Sequence, residues 1–489
     1  MYTFFSLRRH RSDCIEQLHK KMTTDALPDE VLLHSFYFYV DQNPNGDSWH
    51  TLVHVCQRWR FVVFASPKYL NLRLLCNHDR LAKQLLDVWP SSFPVVITDR
   101  SLSVTRGQLK DARKLEGAKI IIAALKHRDR ISTIDLRYVP TMLWKPFLAI
   151  TEPFPLLTSL RLDLWDEDIQ VLTDSFLGGS CPRLQELYLD GIPFPGLGNL
   201  LSSTSDLINL HLEDIPHSSY IPPEAMISYL SASSTKLESL HLELRSPQPQ
   251  AKRASQHPPT MTRVVLAALT RFRFRGDSKY LEEILSHIDT PLLESITITF
   301  FDCLILDTPQ LRRFISHTEI FTAFHRADII FDGDYSDVSI TFSPSDVLGS
   351  TDRGVLTLGV RCTESGPGFV SLVRLCNSAL PSFPTLERLS IQYYHSPGNP
   401  GVSVTEWVEF LRVFPFVKDL YISSNGRLNY SILPAMTALA GEIVVKTLPA
   451  LQNLFVHRSW GSQHFMKSFD SFVAARQLSG RPIALHFLE

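Results

Sequence analysis

Ionisable side chains recur at one position of a repeating pattern in this chain. The pattern is apolar-x-x-apolar-x-apolar, and in the four consecutive occurrences that start at Leu157, Leu184, Leu207 and Leu237 the next residue is acidic: Asp163, Asp190, Glu213 and Glu243. The occurrence after these ends in Arg275, on a segment that also holds Arg271 and Arg273. Between the second and third apolar positions stand Arg161, Tyr188, His211, His241 and Arg273. If the segments are strands, side chains alternate between two faces, and these residues share the face opposite the apolar ones. Parallel strands lie about 4.8 Å apart, so carboxylates in register would form a ladder of like charge, which a chain selected for stability alone avoids. The chemistry this predicts is capture of a partner of complementary charge by Asp163, Tyr188, Asp190, His211, Glu213, His241, Glu243, Arg271, Arg273 and Arg275. The alternative is an ordinary solvated surface of mixed sign.

Other chemistry finds little to work with. His211 and His241, with Asp190 and Glu213 nearby, are formally metal-like, but two units aligned by period bring such residues together by accident, so no metal is expected. The sequence has no phosphate-cradling glycine loop, no HExxH, no GxSxG and no zinc-type Cys/His spacing, so neither a catalytic site nor a cofactor is expected. The seven cysteines are odd in number and lack a CxxC pair, which fits small core hydrophobes better than a disulfide framework.

The elements that would position the charged column come next. The six-residue pattern also starts at Ile131, Leu269, Leu293, Leu386, Val417 and Leu451, and at six of the ten starts a proline stands two residues ahead: Pro155, Pro182, Pro291, Pro384, Pro415 and Pro449. With only 31 prolines in 489 residues, chance supplies less than one such coincidence. A proline there is expected to end a helix and open a strand without needing a ladder donor. Further strands are expected at Phe93–Thr98, Asp328–Phe331 and Val355–Val360, the last two inside a 93-residue gap between Leu293 and Leu386 that would hold about three periods. One-sided apolar stretches between the strands read as helices: Ile169, Leu172, Phe176; Met226, Tyr229, Leu230; Tyr280 to Ile288; Leu311, Phe314, Ile315; Phe369 to Cys376; and Trp407, Phe410, Leu411. The fold class is therefore α/β, and strand–helix units of this length stack into a curved solenoid with parallel strands on the concave face and helices on the convex face. The proline-rich, polar segment 246–259 reads as a surface loop.

The N-terminal part has another texture. Pro28, Asp29 and Glu30 suit a first helical turn, with Val31, Leu32, Phe36, Tyr39 and Val40 as its apolar side. Trp49, Leu52, Val53, Cys56, Trp59 and Val63 predict a second helix, and Tyr69–Leu75 is a third apolar piece. Three short amphipathic pieces bury too little surface to be self-sufficient and need a covering partner. The run Leu27-Pro28-Asp29-Glu30-Val31-Leu32, then Trp49, Leu52, Val55, Cys56, Arg58-Trp59-Arg60 and Pro67, resembles the F-box, and Pro-x-Leu-x-x-Leu-x-Leu, as in Pro182–Leu189, resembles irregular leucine-rich repeats. The loop between the first two helices is longer than in the shortest F-boxes. The resemblance implies a non-catalytic, substrate-recognition adaptor of a cullin-based ubiquitin ligase. Leu27, Pro28, Val31, Leu32, Leu52, Val55 and Trp59 would serve the F-box, most of them against a Skp-type linker subunit and Trp59 mainly in the module's own packing. The repeats would hold a protein substrate. The implied layout is a flexible tail over 1–22, an F-box over 23–76, a linker helix over 77–92 and a leucine-rich-repeat-like solenoid over 93–489.

Composition sets outer bounds. With 48 Lys+Arg against 50 Asp+Glu, the net charge of −2 gives no global field for nucleic acid or anionic lipid, so neither is expected as a partner. No apolar run is long enough to span a membrane. In MYTFFSLRRH the basic residues follow the apolar ones, the wrong order for a secretion leader, so a reducing compartment, cytoplasm or nucleus, is expected.

Overall fold

The structure, a computed structural model, describes residues 27–42, 48–76, 89–90, 92–99, 119–137, 147, 150–163, 171–195, 197–247, 263–301, 307–321, 323–332, 337–344, 353–361, 368–381, 383–394, 403–424, 447–457 and 463–488. The tail over 1–22, most of the expected 77–92 helix and most of the 246–259 loop lie outside the described residues. The chain forms two compact units, Met1–Ala149 with Phe154–Leu160, and Ile150–Pro153 with Arg161–Glu489.

The first unit begins with helix α1 (Asp29–Asp41), opened by Pro28 and two acidic residues that suit the positive helix end. Its core residues are Leu32 and Phe36, whereas Val31 and Tyr39 of the expected apolar side are exposed. The single helix expected from Trp49 to Val63 is two, α2 (Trp49–Val53) and α3 (Gln57–Ala65). Between them Cys56 is extended, and its Sγ accepts a hydrogen bond from the Trp59 N–H at 3.4 Å, capping α3. The third apolar piece is not helical. Asn71 takes a left-handed turn (φ 49°), and strand β1 (Leu74–Cys76) follows. It pairs in parallel with β2 (Val95–Asp99), and β2 with β3 (Ile131–Arg137). The helices and first strands thus belong to one unit, and the division expected at residue 92 does not appear there. Trp49 joins the parts: its indole is fully buried, donates to the Arg73 carbonyl at 3.1 Å, and packs edge-on against Trp89 and Phe93.

In the second unit the strands, in chain order, are β4 (Ser159–Asp163, of which Arg161–Asp163 belong here), β5 (Glu186–Asp190), β6 (Asn209–Ile215), β7 (Ser239–Leu244), β8 (Val264–Val265), β9 (Arg271–Gly276), β10 (Ile288–Asp289), β11 (Ser295–Phe301), β12 (Arg326–Asp332), β13 (Asp337–Ser343), β14 (Val355–Arg361), β15 (Arg388–Tyr394), β16 (Asp419–Ser424), β17 (Asn453–His457) and β18 (Ala484–Leu488). Between them lie α4 (Leu197–Ser202), α5 (Pro223–Ala232), α6 (Ser278–His287), α7 (Pro309–His317), α8 (Gly368–Ala379), α9 (Val404–Leu411) and α10 (Gln463–Leu478). Except for the short β8–β10 pair, the strands form one large, mostly parallel sheet in the order β4-β5-β6-β7-β9-β11-β14-β13-β12-β15-β16-β17-β18. The molecule is therefore mixed α/β. Phe274 of β9 stacks on Tyr280 of α6, so the buried leucines and phenylalanines of the strands face the helices and the alternate residues face the other way.

The prolines act differently from the expectation. In all six cases proline is the second residue of a tight turn that puts a buried apolar residue two positions later and the strand two beyond that. The N–H of Leu157, Leu184, Leu293, Leu386, Val417 and Leu451 donates to the carbonyl three residues back, of Phe154, Cys181, Thr290, Phe383, Phe414 and Leu448, at 3.1–3.4 Å. Proline's fixed φ suits the second position of such a turn, and its missing donor costs nothing there. The long gap also departs from a simple repeat. It holds three strands, and β13 runs antiparallel between β12 and β14, reversing the spatial order of the group. Finally, Leu172 and Phe176 are buried, but Phe176 starts a short 3-10 turn, Phe176–Gly179, where Leu177 and two glycines take positive φ, so the helix expected there does not form over the described residues.

Cys76, Cys181 and Cys376 are buried free thiols, and burial pushes the Cys76 thiol up to about 11, as expected of inert core residues. No helix among the described residues is long and apolar enough to cross a membrane. Trp49→Ala should destabilise the first unit by about 3–5 kcal/mol, and Trp49→Phe, which keeps most of the packing, by about 1–2 kcal/mol. Thermal unfolding of both variants measures the difference, and equal losses would show that the Arg73 hydrogen bond, not packing, dominates.

Candidate functional site

Two surfaces carry the residues singled out by the sequence. The first is on the helices of the first unit. Arg58 of α3 reaches α1, pairing with Asp29 at 2.6 Å and donating to the Leu27 carbonyl, so the start of α1 is held beside the start of α3. Around this clamp Leu27, Pro28, Val31 and Val55 are exposed, with Phe38 and Phe61 on the same helices also exposed, Val55 at 56% and Phe61 at 70%. Leu32 and Leu52, expected at a partner contact, are instead 2% and 5% exposed and belong to the module's own core. Trp59 packs on Phe36 with ring centroids 4.7 Å apart, in keeping with an internal role. Tyr37 and Tyr69 shield one another, their rings 5.4 Å apart. Sequence periodicity could not separate Val31 from Leu32, because neighbouring residues on a helix differ in burial only through what packs on them.

The second surface is the sheet face opposite the helices, across β4 to β9. Register brings the middle column together: Tyr188 lies beside His211, His211 beside His241, and His241 beside Arg273. Arg161 lies over the Tyr188 ring at 3.9 Å. The acidic column is not the exposed ladder that equal spacing predicts. A bulge at the end of β6, where Asp214 takes a left-handed φ of 50°, shifts the register between Leu212 and Ile215 and breaks the alignment of Glu213 with Glu243. No residue of the six-position pattern marks this bulge, because the pattern ends at Leu212.

Cations separate the last two carboxylates. His241 Nδ1 is 3.1 Å from Glu213 Oε1 and its Nε2 is 2.6 Å from Glu243 Oε1. Glu243 also accepts from Arg273 Nε at 2.9 Å and Arg275 Nη1 at 2.8 Å, and Glu213 Oε2 accepts from the Tyr188 hydroxyl at 2.8 Å. His241 and Glu243 are only 7% and 5% exposed. Burial works against both their charges, but the mutual hydrogen bonds win: the His241 imidazole is raised and the Glu243 carboxyl lowered. For Glu213 burial is likewise outweighed, by bonds from His241 and Tyr188, and its carboxyl falls to about 2. His211, by contrast, is desolvated and lies near the His241 charge, which brings it down to about 4; its Nε2 is 3.3 Å from Ser239 Oγ.

Like-charge repulsion survives at Asp190. Burial, then Asp163, Glu213, Asp214 and Glu243, push its carboxyl up to about 7. Asp163 is buried at the end of β4, and Arg271 is exposed at the start of β9. Asp214, which the sequence pattern passed over, pairs with Arg245 at 2.9 Å and stands 4.0 Å from Arg275. Farther along the same face, Tyr421, Phe455 and His486 stack at 4.3 and 4.7 Å, using their ring faces on one another.

No protein-family model matches the chain, and no curated protein matches it. What the protein does is to be read from its own residues.

Asp190 gives a pH test. Its folded-state value lies above the ordinary 3.8, so the folded chain holds this proton more tightly than the unfolded chain, and stability falls as pH rises from about 4 through about 7. Solvent screening at this half-exposed site leaves only part of that linkage, so Asp190→Asn should stabilise the protein by about 1–2 kcal/mol at pH 8 and by well under 1 kcal/mol at pH 4. Denaturant unfolding at the two pH values measures this, and a variant less stable than wild type at pH 8 would show that the carboxylate is ionised and useful in the fold.

Proposed function

We propose that this chain is a substrate-recognition adaptor of a cullin-based ubiquitin ligase. In this reading the helices over residues 27–65 form an F-box that docks on a Skp-type linker subunit, and the strands of the second unit form an irregular leucine-rich-repeat solenoid that captures the protein to be modified. The observation that carries the reading is the set of apolar side chains that the helices of the first unit leave uncovered: Leu27, Pro28, Val31, Phe38, Val55 and Phe61 are exposed, and Arg58 ties the start of α1 to α3. Exposed apolar side chains concentrated on one small module suit an interaction site, and covering each of them is worth about 1.5–3 kcal/mol before entropy is subtracted. Catalysis by such an adaptor is proximity alone, with the captured protein held near a charged carrier enzyme.

The charged sheet face suits the capture role. Arg271, Arg273 and the partly exposed, ionised Glu213 offer both signs to a partner, while Glu243 and His241 hold the strands together beside them. A second reading, an interaction scaffold in which the helices merely cover the end of the strand array, draws on the parallel pairing of β1 with β2, which ties the helical module to strands.

One pair of substitutions separates the two. Val31→Asp with Val55→Asp alters only exposed side chains, so the fold should be kept, with thermal transitions within about 0.5 kcal/mol of wild type. Co-purification of the linker subunit and cullin from cells should fall at least tenfold. Undiminished recovery of both subunits would remove the docking role from this face, and recovery of neither by the wild-type chain would favour the scaffold.

A further inference from the structure

Within the charged face lies a set of donors of another kind. His211, Glu213 and His241 each offer one ligand atom, and these atoms all lie within 4.8 Å of one another. Two are already close to the spacing an ion requires: His241 Nδ1 and Glu213 Oε1 are 3.1 Å apart. Donors about 2.0–2.2 Å from a zinc ion stand roughly 3.3–3.6 Å apart at the tetrahedral angle. The third, His211, is the direct register neighbour of His241, with ring centroids 5.4 Å apart.

The surroundings of these donors are those of a metal ligand set. Histidines that bind metals hand their second ring N–H to a carboxylate, which fixes the tautomer and the ring plane. His241 does so through Nε2 to Glu243 at 2.6 Å, and Glu243 is itself held by Arg273 and Arg275. Ligating carboxylates are in turn hydrogen-bonded through the other oxygen. Glu213 accepts the Tyr188 hydroxyl on Oε2, leaving Oε1 for the site. Ser239 Oγ, 3.3 Å from His211 Nε2, holds that ring. Two imidazoles and one carboxylate are a donor set for zinc and its first-row neighbours, whereas calcium and magnesium take oxygen almost alone.

We propose that His211, Glu213 and His241 form a binding site for a divalent first-row metal ion, zinc foremost. The ion takes the place of the hydrogen that joins His241 Nδ1 to Glu213 Oε1. On binding, His241 gives up its Nδ1 proton to solvent and keeps its Nε2 proton on Glu243, so one proton leaves for each ion bound. Three protein donors leave a fourth position for water or for a side chain of a captured partner. Because β6 and β7 each supply a donor, a bound ion also cross-links two neighbouring strands of the charged face.

The test uses the full chain, stripped with a chelator and titrated with zinc by calorimetry in two buffers of different ionisation heat, with cobalt absorption as an independent readout. The expected result is one saturable ion per chain, about one proton released per ion, and visible cobalt bands of a four- or five-coordinate site. His211→Ala, at a half-buried position, should weaken binding at least 100-fold while keeping the wild-type thermal transition. Should that variant fail to fold, Glu213→Gln reads the same loss. Glu243 is a positioning residue that touches no ion, and Glu243→Gln should weaken binding by about 10–100-fold. Absence of saturable zinc binding by the wild-type chain would overturn the proposal. So would binding undiminished in a folded His211→Ala or Glu213→Gln chain, because the ion would then sit among others of the 18 histidines.

Discussion

Neighbouring parallel strands of the second unit are bonded in register, broken at the Asp214 bulge, so residues at equivalent positions lie side by side about 4.8 Å apart. That constraint decides everything on the sheet face opposite the helices. Leucine and phenylalanine on the inward positions, Leu210, Leu212, Leu240, Leu242, Phe272 and Phe274, are buried against the helices and set the phase of every strand. The alternate positions then have no freedom to avoid one another. Ionisable groups placed there are forced into rows, and a row is tolerable only when charges alternate or a proton is kept. Both solutions occur: His241 stands between Glu213 and Glu243 with Arg273 and Arg275 beyond, and Asp190, next to the other carboxylates, retains its proton to about 7.

The first unit obeys a different constraint, the shortage of surface that short helices can bury. Leu32, Phe36, Leu52, Val53, Val62 and Val63 complete its interior, and Trp49 fastens that interior to the strands. Val31, Val55 and Phe61 are left over. Side chains of this kind on an otherwise well-packed module carry the adaptor reading, in which a foreign subunit completes what the module cannot enclose.

Much of this was legible in the residues, and the exceptions have physical reasons. The phase and place of the strands follow from paired apolar positions, so Leu160 and Leu162, or Leu187 and Leu189, mark a strand in sequence as they do in space. The proline positions were visible, yet their purpose was not, because a turn closed by a bond from Leu184 to Cys181 and a helix stop look alike in one dimension. Strand β13 alternates without the leading apolar residue of the other strands and escaped a pattern built around it. The charged column was found by position but misread in sign balance. Alignment by count cannot foresee the bulge at Asp214, nor that His241 would bridge two carboxylates, since each depends on a side chain's reach rather than its place along the chain. For the same reason Leu32 and Leu52 were assigned outward when their helices turn them in.

The most direct measurement is amide hydrogen exchange on the purified full chain, alone and mixed with a purified Skp-type linker subunit. The account predicts a one-to-one complex in which protection is gained over residues 27–42 and 48–65 and the strands of the second unit are unchanged. A mixture that forms no complex, or one whose protection falls on the sheet and spares those helices, would contradict it.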